Sequence, residues 1–520
     1  MDRKWWTLLV VCAGIFMLLL DLTIVVVALP YIQRDLHAGF SDLQWTVSAY
    51  ALTLASLLLT TGSLADRYGR RLMFTGGLII FTAGSLACGL AGSPVMLIAS
   101  RAAQGVGGAI LMSTSLALLA ASFQGRERGV AFGVWGAVTG AAVALGPILG
   151  GVITSGISWR GIFLVNVPIG IAATIATRAR VDESKTPVAT PPDWPGFVLF
   201  TAGLVSLVYG FIRVSGHGWG DTGVLVCLAG GCLLLIAFVI AEARSEHPMF
   251  DLGLLRTPTF VGGSIVAFTM NGSLFAMLLY LVLYLQDALG FSASGTGVRL
   301  LIITAGMFVA ATASGRVSSR VPVRWLIGPG LMLVGVGLAL MSGLDATSSW
   351  THLIPGFLVA GVGSGLVNPP LASTAVGVVE PHRAGMASGV NATFRQVAIA
   401  VATAALGTIF TSAVRRSLHH GLAAVPSLAG HGATAATAIQ QGNVRGLIAS
   451  VPADVRGRVA VAAHAAFAAG LNDLLLVTGA VALVGGLASM ALIRSRDFAH
   501  AQAASAAQSP DVSRPVEVSA

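Results

Sequence analysis

A chain of 520 residues that is 55% hydrophobic and only 10% charged cannot fold as a water-soluble globule. The net charge of +9 would suit a nucleic-acid binder, yet the arginines sit in short connections between apolar runs, so no nucleic-acid partner is expected. Stretches of about 20 apolar residues, enough to cross a ~30 Å hydrocarbon core as helices, recur along the chain and point to an all-α polytopic membrane protein.

At the N-terminus, "MDRKWW" leads into an apolar run that reaches Leu29 and meets Pro30. The run is too long for a signal-peptide core and lacks a small-residue cleavage site, so it reads as an uncleaved first span. Fourteen spans are predicted, at 6–29, 44–64, 72–92, 96–121, 129–153, 161–179, 196–214, 222–241, 260–285, 297–315, 323–343, 351–374, 385–413 and 473–494. The apolar stretch from Val459 to Ile493 is too long for one span, and its first half, with His464, Asn472 and Asp473, is expected at the surface. The 64 glycines suit close helix contact in lipid, and Cys12, Cys88, Cys227 and Cys232 fall inside spans at no metal or redox spacing. From about residue 498 the tail reads as disordered.

Basic residues divide unevenly between the two sides. Eighteen, from Arg3 and Lys4 through Arg126, Arg178, Lys185, Arg244, Arg320 and Arg383 to Arg496, flank one side, and the short loops of the other, the long segment 414–472 being left out of the rule, have only Arg34, Arg160 and Arg213. Both termini are therefore expected in the cytoplasm, with the long segment 414–472 outside. The chain also repeats: "GVGG" at Gly105 and "GVGS" at Gly361 stand 256 positions apart, and "RERGVAFGV" (126–134) matches "HRAGMASGV" (382–390) at the same offset. A weaker echo, "GRVSSRVPVR", runs from Gly315 to Arg324 and puts Ser319 where Asp66 stands. Two six-span halves with the pair 196–241 inserted between them form a transporter architecture. The expected units are 1–180, a linker pair at 181–259, a second half at 260–497 and the tail 498–520.

Asp21 lies well inside the first span, where an ionisable group is costly and marks function. A carboxylate there binds either a proton or a lipophilic cation, and that competition would couple export to proton entry. Arg101, a second intramembrane charge, either reaches across to helix 1 and modulates Asp21 or simply bonds backbone carbonyls, and the sequence leaves both open. Asp221, Asp287, Asp345, Glu380 and Asp473 fall near span ends or in connections and are weaker candidates, while Arg395 and Gln396 face an unassigned side of helix 13. Gly146-Pro147 and Asn368-Pro369-Pro370 interrupt helices 5 and 12. "HGWGD" (217–221) has the wrong spacing for an acyltransferase box and no nucleophile–base pair or phosphate loop appears, so no enzyme and no cofactor are expected.

"GSLADRYGRR" (62–71) resembles the loop-2/3 signature of the major facilitator superfamily at Gly62, Asp66, Arg67, Gly69, Arg70 and Arg71. "LIASRAAQGVGGA" (97–109) is similar to the fourth-span motif, and "GAAVALGPILGG", with Gly140, Gly146, Pro147, Gly150 and Gly151, to the fifth-span antiporter motif, with Ala142 at an often-glycine position. "LDLTIVVVALP" and "WRGIFLVNVPIG" resemble the fourteen-span drug:proton antiporter branch, the QacA/EmrB-like proteins, although Val26 replaces an asparagine common there. The resemblance implies a monomer in the cytoplasmic membrane, driven by the proton gradient, that exports lipophilic and preferentially cationic compounds. It also implies that Asp66 and Arg70 latch the cytoplasmic side, Asp66 sitting at the positive N-terminal end of helix 13 near His382–Gly385 while the arginines meet acids or lipid phosphates. Gly62 and Gly69 are read as permitting tight turns. A dedicated natural-product exporter would share every motif. An uptake symporter fits helix 5 poorly, and a non-transporting sensor would leave Asp21 without a role.

Overall fold

In lipid a polypeptide must satisfy its own backbone hydrogen bonds, so each long apolar run coils into a helix. A computed structural model describes residues 2–123, 125–184, 192–246, 248–318, 321–378, 384–423 and 456–498, and every regular element among them is helical. In chain order these are α1 (Arg3–Asp35), α2 (Phe40–Tyr68), α3 (Arg70–Gly89), α4 (Pro94–Ser122), α5 (Gly125–Gly156) and α6 (Gly161–Arg180, broken at Val165). Then follow α7 (Trp194–His217), α8 (Thr222–Arg244), α9 (Pro258–Ala288), α10 (Ala293–Val317), α11 (Arg324–Leu340), α12 (Ile354–Gly377), α13 (Ala384–Ala423) and α14 (Arg456–Leu492). Twelve are long and apolar enough to span a membrane. The bent α5 makes a thirteenth, and α11, at 17 residues, is the short apolar helix at the predicted eleventh position.

The first six helices form one bundle and α9–α14 a second, packed by the same scheme. Helix α4 lies against α2 and α3, and α12 lies against α10 and α11. Glycines show this repeat at atomic scale. Gly105 of α4 meets the backbone of Tyr50 in α2, and Gly361 of α12 meets the backbone of Ile303 in α10. Gly107 likewise faces the Gly77 carbonyl of α3, and Gly363 the Gly330 carbonyl of α11. A methyl at any of these places would drive two backbones apart.

The inserted pair α7–α8 is a hairpin that docks through α7 on α2 and α13. Asp221 caps α8, accepting from Val224 N (3.0 Å) and from Arg213 Nε of α7 (2.8 Å). The Arg213 bond holds the Asp221 carboxyl below the usual carboxylate range. The two bundles themselves meet along α2–α13 and α5–α10.

Three expectations need correction. The stretch before residue 473 is not a surface segment: α14 runs unbroken from Arg456, and Val459, Ala463, Phe467, Gly470 and Leu471 are buried. Helix α13, predicted to end at 413, continues to Ala423 and supplies the packing surface. Gly470 seats the Phe410 ring, the Phe410 and Phe467 centroids lie 5.0 Å apart, and Arg416 pairs with Asp473 at 2.9 Å. Gly62 is not at a turn either, because α2 continues as helix to Tyr68. Residues 424–455 of the outer segment, Lys185, Ser319, Arg320, Glu380 and the tail from 499 lie outside the described residues.

Candidate functional site

Helix α1 carries Asp21 at its centre, fully buried, and α4 brings Arg101 to it, 2% exposed. Arg101 Nη1 donates to Asp21 Oδ2 and also to Gln104 Oε1 (2.6 Å). Gln104 sits one turn beyond Arg101, so its amide can close the ring: Nε2 donates to Asp21 Oδ1 (2.9 Å) and to Ser85 Oγ of α3 (2.7 Å). Arg101 Nε donates to the Thr46 carbonyl of α2 (3.2 Å), and its guanidinium lies 4.2 Å from the Tyr50 ring centroid. Asn166 Nδ2 of α6 adds a bond to Ser85 Oγ (3.2 Å). Five helices thus meet at one ion pair. Both carboxylate oxygens accept hydrogen bonds, Oδ2 from Arg101 and Oδ1 from Gln104, on a side chain that is fully buried in this conformation.

Around residues 62–71 the contacts of Gly69, the Arg70 backbone and Arg71 run within the first bundle. Gly69 adopts φ +119° between α2 and α3, a backbone that a side chain would strain, so the tight-turn expectation holds there. Glu183, after α6, accepts from Arg71 N (2.9 Å) and Leu72 N (3.1 Å) and caps the start of α3. Arg71 also reaches the Val181 carbonyl (3.2 Å), and Arg70 N donates to the Ser184 carbonyl (3.0 Å). Arg67 is exposed. The Asp66 side chain and residues 379–383, where its partner is expected, lie outside what is described.

Helix α5 bends by 43° between Val130–Val143 and Leu145–Gly156. Pro147 explains the place, since it lacks the N–H that would donate to the Val143 carbonyl. Beyond the bend, Gly146 lies against Thr23 and Gly150 against Ile24, both on α1. Gly151 lies against Ala293 and Ser294, while Gly297 of α10 lies against Pro147, so this part of α5 also joins the bundles. Gly140 borders open space. At this end, away from the termini, Arg34 pairs with Asp287 across the bundles (2.9 Å), Gln286 Nε2 donates to the Val27 carbonyl (2.8 Å) and Ser294 N to Ser155 Oγ (3.0 Å).

The sequence matches the Major Facilitator Superfamily over residues 11–403. The chain belongs to the major facilitator superfamily. As a member it is a multi-pass membrane protein of a transporter family, and its relatives are drug and antibiotic exporters. It is 33% identical over 492 residues to the tetracenomycin C resistance and export protein of Streptomyces glaucescens, covering 94% of this chain and 91% of that one. It is 36% identical over 448 residues to the puromycin resistance protein of Streptomyces alboniger, covering 85% and 89%. It is 35% identical over 491 residues to the multidrug resistance protein Stp of Mycobacterium tuberculosis, covering 93% and 90%. Among solved structures, a bacterial homolog of the human lysosomal transporter Spinster, inward-facing and unoccupied, superposes with a TM-score of 0.61 at 18% identity, over 96% of this chain and 98% of that one.

Within this major facilitator fold, Asp21 and Arg101, both singled out by the sequence, come together, and Gln104, Ser85, Tyr50 and Thr46, which the sequence did not single out, surround them. The Arg101–Gln104 spacing of one helical turn was the available signal for Gln104.

Proposed function

We propose that the chain is a proton-coupled antiporter that exports lipophilic drugs or natural products from the cytoplasm across the cytoplasmic membrane by alternating access. The observation that carries this reading is the buried Asp21–Arg101–Gln104 ring in a fold whose relatives are named for resistance and export. A proton on Asp21 cancels its charge and turns one carboxylate oxygen into a donor, so the charge-assisted bonds from Arg101 and Gln104 that tie α4 to α1 weaken. Helix α1 also holds α5 at Gly146 and Gly150 and α9 through Arg34 and Gln286, so a shift of α1 reaches the contacts between the bundles. Both termini are cytoplasmic, the path lies within one chain, and lipids bathe the rest. In the alternate state Asp66 and Arg70 latch the cytoplasmic side against the start of α13.

The test is accumulation of ethidium, puromycin and tetracenomycin C in pump-deficient cells expressing the protein, with and without a protonophore. Accumulation that falls on expression and recovers with the protonophore supports proton-coupled export. Unchanged accumulation of all three counts against it. Export of only one compound marks a dedicated exporter.

A further inference from the structure

Helix α13 carries, within its span, a cation that no acid among the described residues balances. Arg395 Nε donates to Asn391 Oδ1 (3.2 Å), and Nη1 lies 3.5 Å from Asn368 Oδ1 on α12. Asn368 is held for this, because its Nδ2 donates to the Ser364 carbonyl (3.1 Å) and so turns its oxygen toward the guanidinium. The carbonyl freed by the prolines beside it is also satisfied: Pro370 cannot donate to the Leu366 carbonyl, and Ser314 Oγ does so instead (2.9 Å). Both partners of Arg395 are neutral amides, and among the described residues no carboxylate pairs with it. Its positive charge has no counter-charge among the described residues, on a side chain that is part-buried.

The fold itself does not require this charge. At the 256-residue offset of the internal repeat, Thr139 of α5 stands where Arg395 does, Trp135 where Asn391 does and Met112 of α4 where Asn368 does. There the hydroxyl of Thr139 bonds its own helix at the Trp135 carbonyl (2.9 Å), so the first bundle forms without a cation at that place. In the first bundle the deep arginine, Arg101, is neutralised by Asp21. An unbalanced guanidinium inside a span is costly, and it is retained where it has a partner to receive.

We infer that Arg395, steadied by Asn368 and Asn391, binds an acidic group (a carboxylate, enolate or phenolate) of the exported compound. The inference rests on the export reading and narrows it to lipophilic acids, the reverse of the cation preference expected from Asp21. The planar guanidinium holds such a group through paired charge-assisted hydrogen bonds, and binding restores neutrality within the span.

The test uses the full-length purified protein in phosphatidylcholine nanodiscs and two dyes on one fused-ring skeleton, anionic fluorescein and cationic rhodamine 123, with binding read by fluorescence anisotropy. Arg395→Gln is expected to weaken fluorescein binding about tenfold or more, the loss of one charged hydrogen-bonding partner. Arg395→Lys should restore most of it, and rhodamine 123 should bind wild type and variants alike. Asn368→Asp, which leaves Arg395 in place but sets a carboxylate beside it, should weaken fluorescein as strongly. The inference is overturned if wild type does not bind fluorescein, if Arg395→Gln or Asn368→Asp binds it as wild type does, or if both dyes weaken together. It is also overturned if phosphatidylglycerol nanodiscs abolish fluorescein binding, because a lipid headgroup then fills the site. Failure of the export reading would appear in the cell assay and not in this one.

Discussion

Asp21 and Arg101 compensate each other in a place that water does not reach, so removing either strands the other. Truncating one partner of such a buried pair costs about 3–5 kcal/mol. Arg101→Ala, which leaves a carboxylate unpaired, is expected to lower thermal stability in detergent more than Asp21→Asn, which keeps a neutral hydrogen-bonding group. The double variant Asp21→Asn, Arg101→Gln should recover part of the loss, and additive losses in that cycle would mean the two side chains do not act as a pair. Asp21 and Arg101 were legible in the sequence because a charge inside an apolar run is conspicuous. Gln104, Ser85 and Tyr50 were not, since neutral polar residues are common in spans and only helix rotation shows which face one centre. Arg395 was noticed for the same reason as Arg101, but the lack of an acid beside it needed the packing of α12 against α13.

At the scale of elements, α5 shows how far a glycine motif can be read. The residues Gly140, Gly146, Gly150 and Gly151 look alike in sequence, yet they face open space, α1, α1 and α10 respectively. Gly146→Ala and Gly150→Ala should each push α5 off α1 and cut export severalfold at equal expression. Gly140→Ala, which meets nothing within 4 Å, should change it by less than about twofold. Equal effects at Gly140 and Gly146 would show that contact with α1 is not what the motif supplies. Helix existence and order were readable because fourteen apolar runs leave few alternatives. Helix ends were not: α13 and α14 extend past their predicted limits because each buries the other's small and aromatic residues, a mutual contact that hydropathy along one strand of sequence does not register. The cap that Glu183 places on α3 was hidden for a similar reason, since acid and helix start lie far apart in the chain.

Across the whole molecule, the bundles are held together at the end away from the termini by Arg34–Asp287, Gln286 to Val27 and the close approach of Gly297 to Pro147. The proposed alternating access would need these contacts to break while others form at the opposite end. Arg34→Ala is expected to loosen this end, seen as a longer and broader distance distribution between spin labels at Ile157 and Val298. An unchanged distribution would mean the pair does not bias the conformation. Helix α1 joins Asp21 to Arg101 on α4 and carries Arg34 at this end, so on the proposed reading α1 is the element through which a proton would act on both bundles.

Proton coupling through Asp21 is tested most directly in proteoliposomes, with whichever of ethidium, puromycin or tetracenomycin C the cells export. An imposed proton gradient should drive concentrative uptake by wild type and none by Asp21→Asn, while exchange of labelled for unlabelled substrate without a gradient persists in the variant. Gradient-driven uptake that survives Asp21→Asn would contradict the assignment of Asp21 as the coupling site.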